Sequence, residues 1–555
     1  MRLHWLWIGE YKNLKDVTID FDQGEWITVV IGWNGTGKSN VLEALATLFR
    51  DLIMKERNKP SFPYRIKYRC RNNFVHIDAD LKRAKNPYQI HISVEDSNES
   101  QEIINQGSIF DIDSENQNDN LGNSITLNQL RKNQDQYLPK YVFGYYSGES
   151  DRMQEVFRKY LTKYDTDLRN AKDPGFKRLF YALPVHSQFV LLAFIHQQDD
   201  IVREFLDKQL GLDPDGGIDS ILFVLRQPPW YKKSARYGDP RFWNARGVVS
   251  NFLARLYDVS LAPIRITRQV DVSLWNKKRL EFLYLYLKDL DTLQSLIGQQ
   301  TPKEFFRDLE STYVSELIEE VRIRVKLRKN DGSVTFRELS EGEQQLLTVL
   351  GLLRFTAEEE SLFLLDEPDT HLNPQWSIKY LQYLESFLGI DKARRDSCHV
   401  VLTTHNPLAI ADLVKEQVQI LKRNMDDLSV IATPPDDDPR GMSFSGIVTS
   451  NMFDVPAGMG NYLRSHLEEK RELSNSDEPL NEQQQERLKE LNEELEQYGF
   501  RHEARDPLFQ EYLRARADYR RSLDQQRENE VSTTEYERQA ALDLLRQIIS
   551  ENNES

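Results

Sequence analysis

Eight residues near the start constrain this chain more than any others. Gly32-Trp33-Asn34-Gly35-Thr36-Gly37-Lys38-Ser39 reads G-x-x-x-x-G-K-S. The apolar run Trp26-Ile27-Thr28-Val29-Val30-Ile31 precedes it, and a helical pattern through Ala44-Leu45-Ala46-Thr47-Leu48-Phe49 follows. A buried strand feeding a glycine-rich turn and then a helix is the setting that a phosphate-binding loop requires. Glycines let backbone N–H groups close around an anion, and the helix N-terminus adds partial positive charge. Asn34, Gly35 and Gly37 then form the cradle, Lys38 reaches the β- and γ-phosphates of ATP, and Ser39 holds Mg²⁺.

Two later segments complete a set. Leu362-Phe363-Leu364-Leu365-Asp366-Glu367 is an apolar run that ends in two carboxylates. Asp366 is placed to bind Mg²⁺ through water, and Glu367 to orient or polarise an attacking water. Strands often end in acids, so this pair is informative only beside the first motif. Leu339-Ser340-Glu341-Gly342-Glu343-Gln344 opens a helix whose apolar face includes Leu346, Leu347, Leu350 and Leu353. Ser340 and Glu343 read as a capping box, and the same helix N-terminus offers N–H groups to an anion.

The order decides between those readings. A phosphate loop, then the Ser340 segment, then the carboxylate pair resembles ABC-type ATPases of the SMC, RecF and OLD kind. The resemblance implies an α/β ABC-type P-loop head, with Asp369 contributing to the nucleotide site and His405, in Thr403-Thr404-His405-Asn406-Pro407, touching the γ-phosphate. It also implies that Ser340, Gly342 and Glu343 cap the nucleotide held by another copy. A head-to-tail homodimer, or a higher oligomer, then completes two shared sites. The family's usual glutamine is not evident: Gln89 and Gln101 are poorly placed, and the loop from Tyr145 to Arg152 is the candidate to replace it.

Length and composition set the organisation. The 555 residues, 39% hydrophobic with a formal net charge of −16, exceed one ordinary domain and hold sizeable cores. Residues 1–155 read as the N-terminal lobe, with the phosphate loop and a small antiparallel sheet over Tyr64–Tyr68, Val75–Ala79 and Tyr88–Val94. The stretch 96–136, rich in Asn, Gln, Ser and Asp, reads as a mobile surface loop. Residues 156–315 read as a mainly helical insertion. Residues 316–435 hold the signature, the carboxylates and the histidine, with a hairpin turning at Asn330-Asp331-Gly332. Residues 436–555 read as a helical region that docks a partner. No run approaches the roughly 20 apolar residues that cross a membrane, and Phe189–Ile195 reads as a buried helix. The first residues lack signal-peptide features. Cys70 and Cys398 are the only cysteines, which fits a cytoplasmic protein.

The branch follows from softer features. There is no heptad arm, no C-x-x-C hook, and no carboxylate set for a second metal-dependent domain. Asp436-Asp437-Asp438, between prolines, reads as a solvated turn. Tyr145–Arg152, Pro228-Pro229-Trp230, Phe242–Gly247 and the tail from Tyr462 to Leu513 are similar to the PtuA family, the ATPase subunits of Septu anti-phage systems and of some retrons. That resemblance implies an ATPase that scaffolds and controls a separate HNH nuclease of PtuB type. In retron versions it also implies contact with a reverse transcriptase and its RNA–DNA hybrid. No nuclease site is expected in this chain. A RecF-like ATP-dependent DNA-binding clamp in repair is the alternative.

Two basic features add to this. Arg322, Arg324, Lys326 and Arg328 share one face of a strand, either a solvated face or a nucleic-acid or partner contact. Arg226–Arg246 interleaves cations with Trp230, Tyr231, Tyr237, Phe242 and Trp243, a pattern that serves either a core or a single strand. In the tail, Asn481 and Gln484 open a helix with Leu488, Leu491, Leu495 and Tyr498 on one stripe. A second helix begins at Asp506-Pro507 and carries Leu508, Phe509, Tyr512 and Leu513.

Overall fold

The computed structural model describes residues 1–55, 58–94, 122–148, 150–196, 198–213, 217–233, 237–273, 276–327, 333–356, 359–388, 396–424, 429–453, 461–474 and 482–497. They fall into two units, Met1–Val455 and Pro456–Ser555.

The larger unit is built on a seven-stranded sheet. Its order is Val430–Thr433, Val418–Arg423, Ile27–Gly32, Cys398–Thr403, Ser361–Asp366, Tyr141–Tyr146 and Leu179–Tyr181. All neighbours are parallel except the first pair, which is antiparallel. Ser361–Asp366 and Cys398–Thr403 are buried at every residue, as parallel strands covered on both faces must be. Alternate residues feed two different cores. Phe363, Leu365, Val400, Leu402, Val29 and Ile31 join one, whereas Leu362, Leu364, Val401 and Val30 join the other. The period of two in the strands thus produces two layers from single apolar runs.

The second core is closed by the helix Lys38–Ile53 and a six-stranded antiparallel sheet. That sheet runs Leu14–Asp20, Arg2–Tyr11, Tyr64–Cys70, Asn73–Ala79, Tyr88–Val94 and Asn123–Ile125. The three strands expected between Tyr64 and Val94 are its centre. Residues 95–121, most of the expected polar loop, lie outside the described residues. From 123 onward that stretch is a short strand followed by the helix Leu127–Lys132, which carries a capping box at Thr126.

The first core extends through the insertion, which holds more strand than its sequence led us to expect. Helices Arg152–Arg169, Val185–His196, Gly247–Val259 and Pro302–Val314 are present. So are strands Ile218–Arg226, Ile264–Ser273 and Asn276–Leu287. These pair with Ile318–Lys326 and Ser333–Thr335 in a five-stranded antiparallel sheet. The inward face of that sheet, including Ile221, Phe223, Leu283, Leu285, Val321 and Ile323, belongs to the larger core. Leu283, Leu285 and Leu287 are buried at alternate positions, a period of two that the charged Lys277-Lys278-Arg279 start obscures in the sequence. The expected border at residue 316 therefore crosses a continuous sheet. Tyr237 is exposed in the basic segment, but Phe242 and Trp243 are fully packed, so most of those rings serve the core; Arg236 lies outside the described residues. Asp436, Asp437 and Asp438 are exposed.

In the smaller unit, Asn461–Ser474 and Glu482–Gln497 are helices joined by a two-pronged Arg487–Glu469 ion pair, at 2.8 and 2.9 Å. Leu491 and Leu495 are buried. Asn481, Tyr498 and the segment after Asp506 lie outside the described residues. Among the described residues, no helix is long and apolar enough to cross a membrane.

Candidate nucleotide site

The site lies at the carboxyl ends of three adjacent parallel strands, where α/β sheets place their ligands. Ile27–Gly32 runs into the glycine-rich loop and then into the helix starting at Lys38. Gly37 has φ 101°, and a Cβ there would stand 2.7 Å from Leu14 Cδ2. Gly32 has φ 150°, and its Cβ would stand 2.5 Å from the Leu421 carbonyl oxygen. Both positions need glycine for conformation and for space. The neighbours hold the loop's shape: Asn13 Nδ2 and Arg423 Nη2 each donate to the Gly35 carbonyl, at 2.9 and 3.1 Å. Asn34 and Gly35 face solvent.

Lys38 folds back over the loop, donating to the Gly32 carbonyl at 2.8 Å. Burial lowers its pKa, and the nearby Glu367 and Asp366 carboxylates oppose that shift. Ser39 Oγ donates to Asp366 Oδ1 at 3.1 Å, and Thr403 Oγ1 donates to the same oxygen. Asp366 is 2% exposed. Its pKa is raised by burial first, against the hydrogen bonds from Thr403 and Ser39, with Glu367 adding repulsion. A buried carboxylate beside a serine hydroxyl has the oxygen chemistry that Mg²⁺ takes, with phosphate and water filling its other positions. These residues therefore fit the metal that the motif implies.

Glu367 follows with φ 50°, a left-handed conformation that costs a non-glycine residue about 1–2 kcal/mol. Its N–H donates to Thr403, with 3.0 Å to the carbonyl and 3.1 Å to Oγ1. The turn directs its carboxylate toward His405, with Oε1 3.3 Å from Nδ1. Asp369, 4% exposed, accepts from Thr404 Oγ1 at 2.9 Å, and burial raises its pKa. Ser39 with Asp366, and Glu367 with His405, are thus brought together.

The Ser340 segment is not tied to the phosphate loop by any hydrogen bond among the described residues. Its capping box is formed: Glu343 Oε2 accepts from the Ser340 N–H at 2.7 Å and from its hydroxyl at 2.9 Å. The helix Glu341–Thr356 rests on the segment after the carboxylates. Gln345 donates to the Pro368 carbonyl, and a Cβ on Gly342 would stand 2.6 Å from the His371 carbonyl oxygen.

Sequence reasoning missed Thr403, whose hydroxyl holds both Asp366 and the Glu367 backbone, and Asn13, which braces the loop from the turn between Arg2–Tyr11 and Leu14–Asp20. Their only signal was a polar residue at a strand end and a turn. The Tyr145–Arg152 loop does reach the site: the Ser147 N–H donates to the Asp366 carbonyl at 3.3 Å, and its hydroxyl to Thr370 Oγ1 at 3.2 Å. Gln89 stands on the six-stranded sheet instead, and Gln101 is outside the described residues.

Comparison with known proteins agrees with this geometry. Residues 1–183 match the family described as "AAA ATPase domain", and residues 232–411 match "AAA domain, putative AbiEii toxin, Type IV TA system". Two separate stretches of the chain thus resemble AAA-type ATPase domains. It is 24% identical over 200 residues to "Septu protein PtuA" of Bacillus mycoides (strain KBAB4), covering 34% of this chain and 27% of that protein. It is also 24% identical over 139 residues to "Retron Vc95 probable ATPase" of Vibrio cholerae serotype O1 biovar El Tor, covering 23% and 25%. The matched region spans about a quarter of the length of each relative. Among solved structures, the Smc head bound to the C-winged helix domain of ScpA aligns over 78% of this chain and 98% of that one. The TM-score is 0.32, at 11% identity.

Replacing Thr403 by Val keeps the shape but removes the hydroxyl that holds Asp366. Leaving a buried carboxylate one donor short costs about 1–3 kcal/mol. Mg²⁺-dependent ATP affinity of Thr403→Val, measured by calorimetry, should therefore fall at least fivefold, while its thermal unfolding remains a single transition.

Proposed function

We propose that the chain binds Mg²⁺–ATP and hydrolyses it in sites shared between two head-to-tail copies, as the ATPase subunit of an anti-phage defence complex. One observation carries this reading: Ser39 stands 3.1 Å from Asp366, and Glu367 3.3 Å from His405, at the ends of neighbouring strands. Asn34, Gly35 and Gly37 offer the loop backbone to the phosphates, and Lys38 turns from the Gly32 carbonyl to the γ-phosphate. Ser39 and Asp366 would hold the metal, which would supply positive charge to the phosphoryl oxygens. Glu367 accepts or orients the proton of the attacking water, and His405 contacts the γ-phosphate from the next strand. Asp369 keeps the segment after Glu367 in place through Thr404.

Ser340, Gly342 and Glu343 cap the partner copy's nucleotide. Ser340 is exposed, and its helix N-terminus suits an anion arriving from outside the chain. The defence assignment rests on the names of the two relatives, a Septu protein and a retron ATPase. On this reading the partner is a separate HNH nuclease of PtuB type, with a reverse transcriptase added where the system is a retron. Residues 436–555 dock that nuclease.

Three outcomes test the proposal. Glu367→Gln keeps size and metal geometry but removes the base, so steady-state ATP turnover should drop by about 10²–10⁴ while nucleotide binding persists. Mixing Ser340→Arg with Lys38→Ala should restore part of the hydrolysis lost in each variant alone, because both lesions fall in one composite site of the heterodimer; equal inactivity of the mixture would reject the shared site. A chain ending at residue 460 should still bind ATP yet fail to retain the HNH subunit in co-purification. Retention would move the docking surface to the insertion.

A further inference from the structure

The five-stranded sheet of the larger unit has an outward face that the nucleotide chemistry does not use. Ile264, Ile266 and Tyr286 on it are 53%, 46% and 37% exposed. They are neighbours by register: Ile264 stands opposite Tyr284, and Tyr286 lies across from Leu222, which faces Arg322 on its other side. Beyond that row, Arg322, Arg324 and Lys326 are exposed at alternate positions of Ile318–Lys326. Two of these cations have acidic neighbours, Arg322 with Glu320 at 2.9 Å and Lys326 with Asp219 at 3.8 Å.

On the opposite flank the sheet extends as an arm. Pairing of Asn276–Leu287 with Ile218–Arg226 ends at Phe282, but its pairing with Ile264–Ser273 continues to Asn276. A two-stranded ribbon of about 20 Å thus projects beyond the neighbouring strand, at roughly 3.3 Å per residue. Arg268 lies on it, 5.4 Å from the Phe282 ring and bonded to the Tyr284 hydroxyl. Lys278 and Arg279 are exposed further out.

This face combines unburied apolar and aromatic groups with cations on both sides, in a chain whose net charge is −16. Free phosphate would use the cations and leave Ile264, Ile266 and Tyr286 wet. A purely apolar protein surface would cover those three and strand the cations. Duplex nucleic acid presents charge but hides its base faces in the stack. A single strand offers both, with a charged backbone and unstacked bases.

We propose that single-stranded nucleic acid lies across this sheet, with phosphates on Arg322, Arg324 and Lys326 and bases against Tyr286, Ile264 and Ile266. The arm follows the strand with Arg268 and Lys278. The reading is independent of the nucleotide site, because none of these residues belongs to it, and a negative result here leaves the ATPase proposal untouched.

The test is fluorescence anisotropy of the full chain with a labelled oligothymidylate at several salt concentrations, with unlabelled duplex of equal length as competitor. The wild type should bind with strong salt dependence, and duplex should compete poorly. Arg322→Glu with Arg324→Glu should weaken binding more than about tenfold and flatten the log–log salt slope by about 1.4, the share of two phosphate contacts on a single strand. Tyr286→Ala should weaken it about fivefold with the slope unchanged, as lost stacking does. ATP binding, retained in both variants, verifies their fold. Failure of the wild type to bind would overturn the proposal. So would equal competition by duplex, or wild-type affinity in the double variant.

Discussion

One carboxylate organises the site of this protein. Asp366 ends a strand buried at every residue, and its Oδ1 is held by Ser39 from the phosphate loop and by Thr403 from the neighbouring strand. Those bonds join two strand ends and the start of a helix, which are far apart in the chain. They form only because Asp366 is in parallel register with Thr403, and Thr403 with Val30. If that register slipped by one residue, the carboxylate would turn to the other face of the sheet. The burial that makes the arrangement rigid also raises the pKa of Asp366, so rigidity of the sheet and demand for a cation share one cause.

The same economy links the carboxylates to the Ser340 helix. Gln345 bonds to the Pro368 carbonyl, and Gly342 leaves room for the His371 backbone. A shift of the Glu367–Leu372 turn would therefore be felt at the N-terminus of that helix. The left-handed φ of Glu367 is consistent with a turn held by its surroundings.

Much of the head was legible in the chain. The strand before Gly32, the helix after Gly37, the strands ending at Asp366 and Thr403 and the three strands between Tyr64 and Val94 all carry periodicities that burial imposes locally. The insertion was harder to read. Asn276–Leu287 starts with four polar residues, and its alternation is visible only from Leu283 on. Its exposed half pairs with a single neighbour, so no second strand demands a regular apolar face.

What the sequence determined by itself is the chemistry available: a glycine-lined loop ending in lysine and serine, two carboxylates after an apolar run, a capped helix with an exposed serine, and a histidine past the next strand. Such motifs are local because backbone conformation and strand termini are set within a few residues. The tertiary structure decided which of these groups meet. Thr403 became the anchor of Asp366 and Asn13 the brace of the loop because parallel register and a neighbouring sheet brought them there. Arg322 and Tyr286 came to share a face because antiparallel pairing through Leu222 aligns them. Proximity across strands depends on long-range pairing, and no short window of residues encodes it.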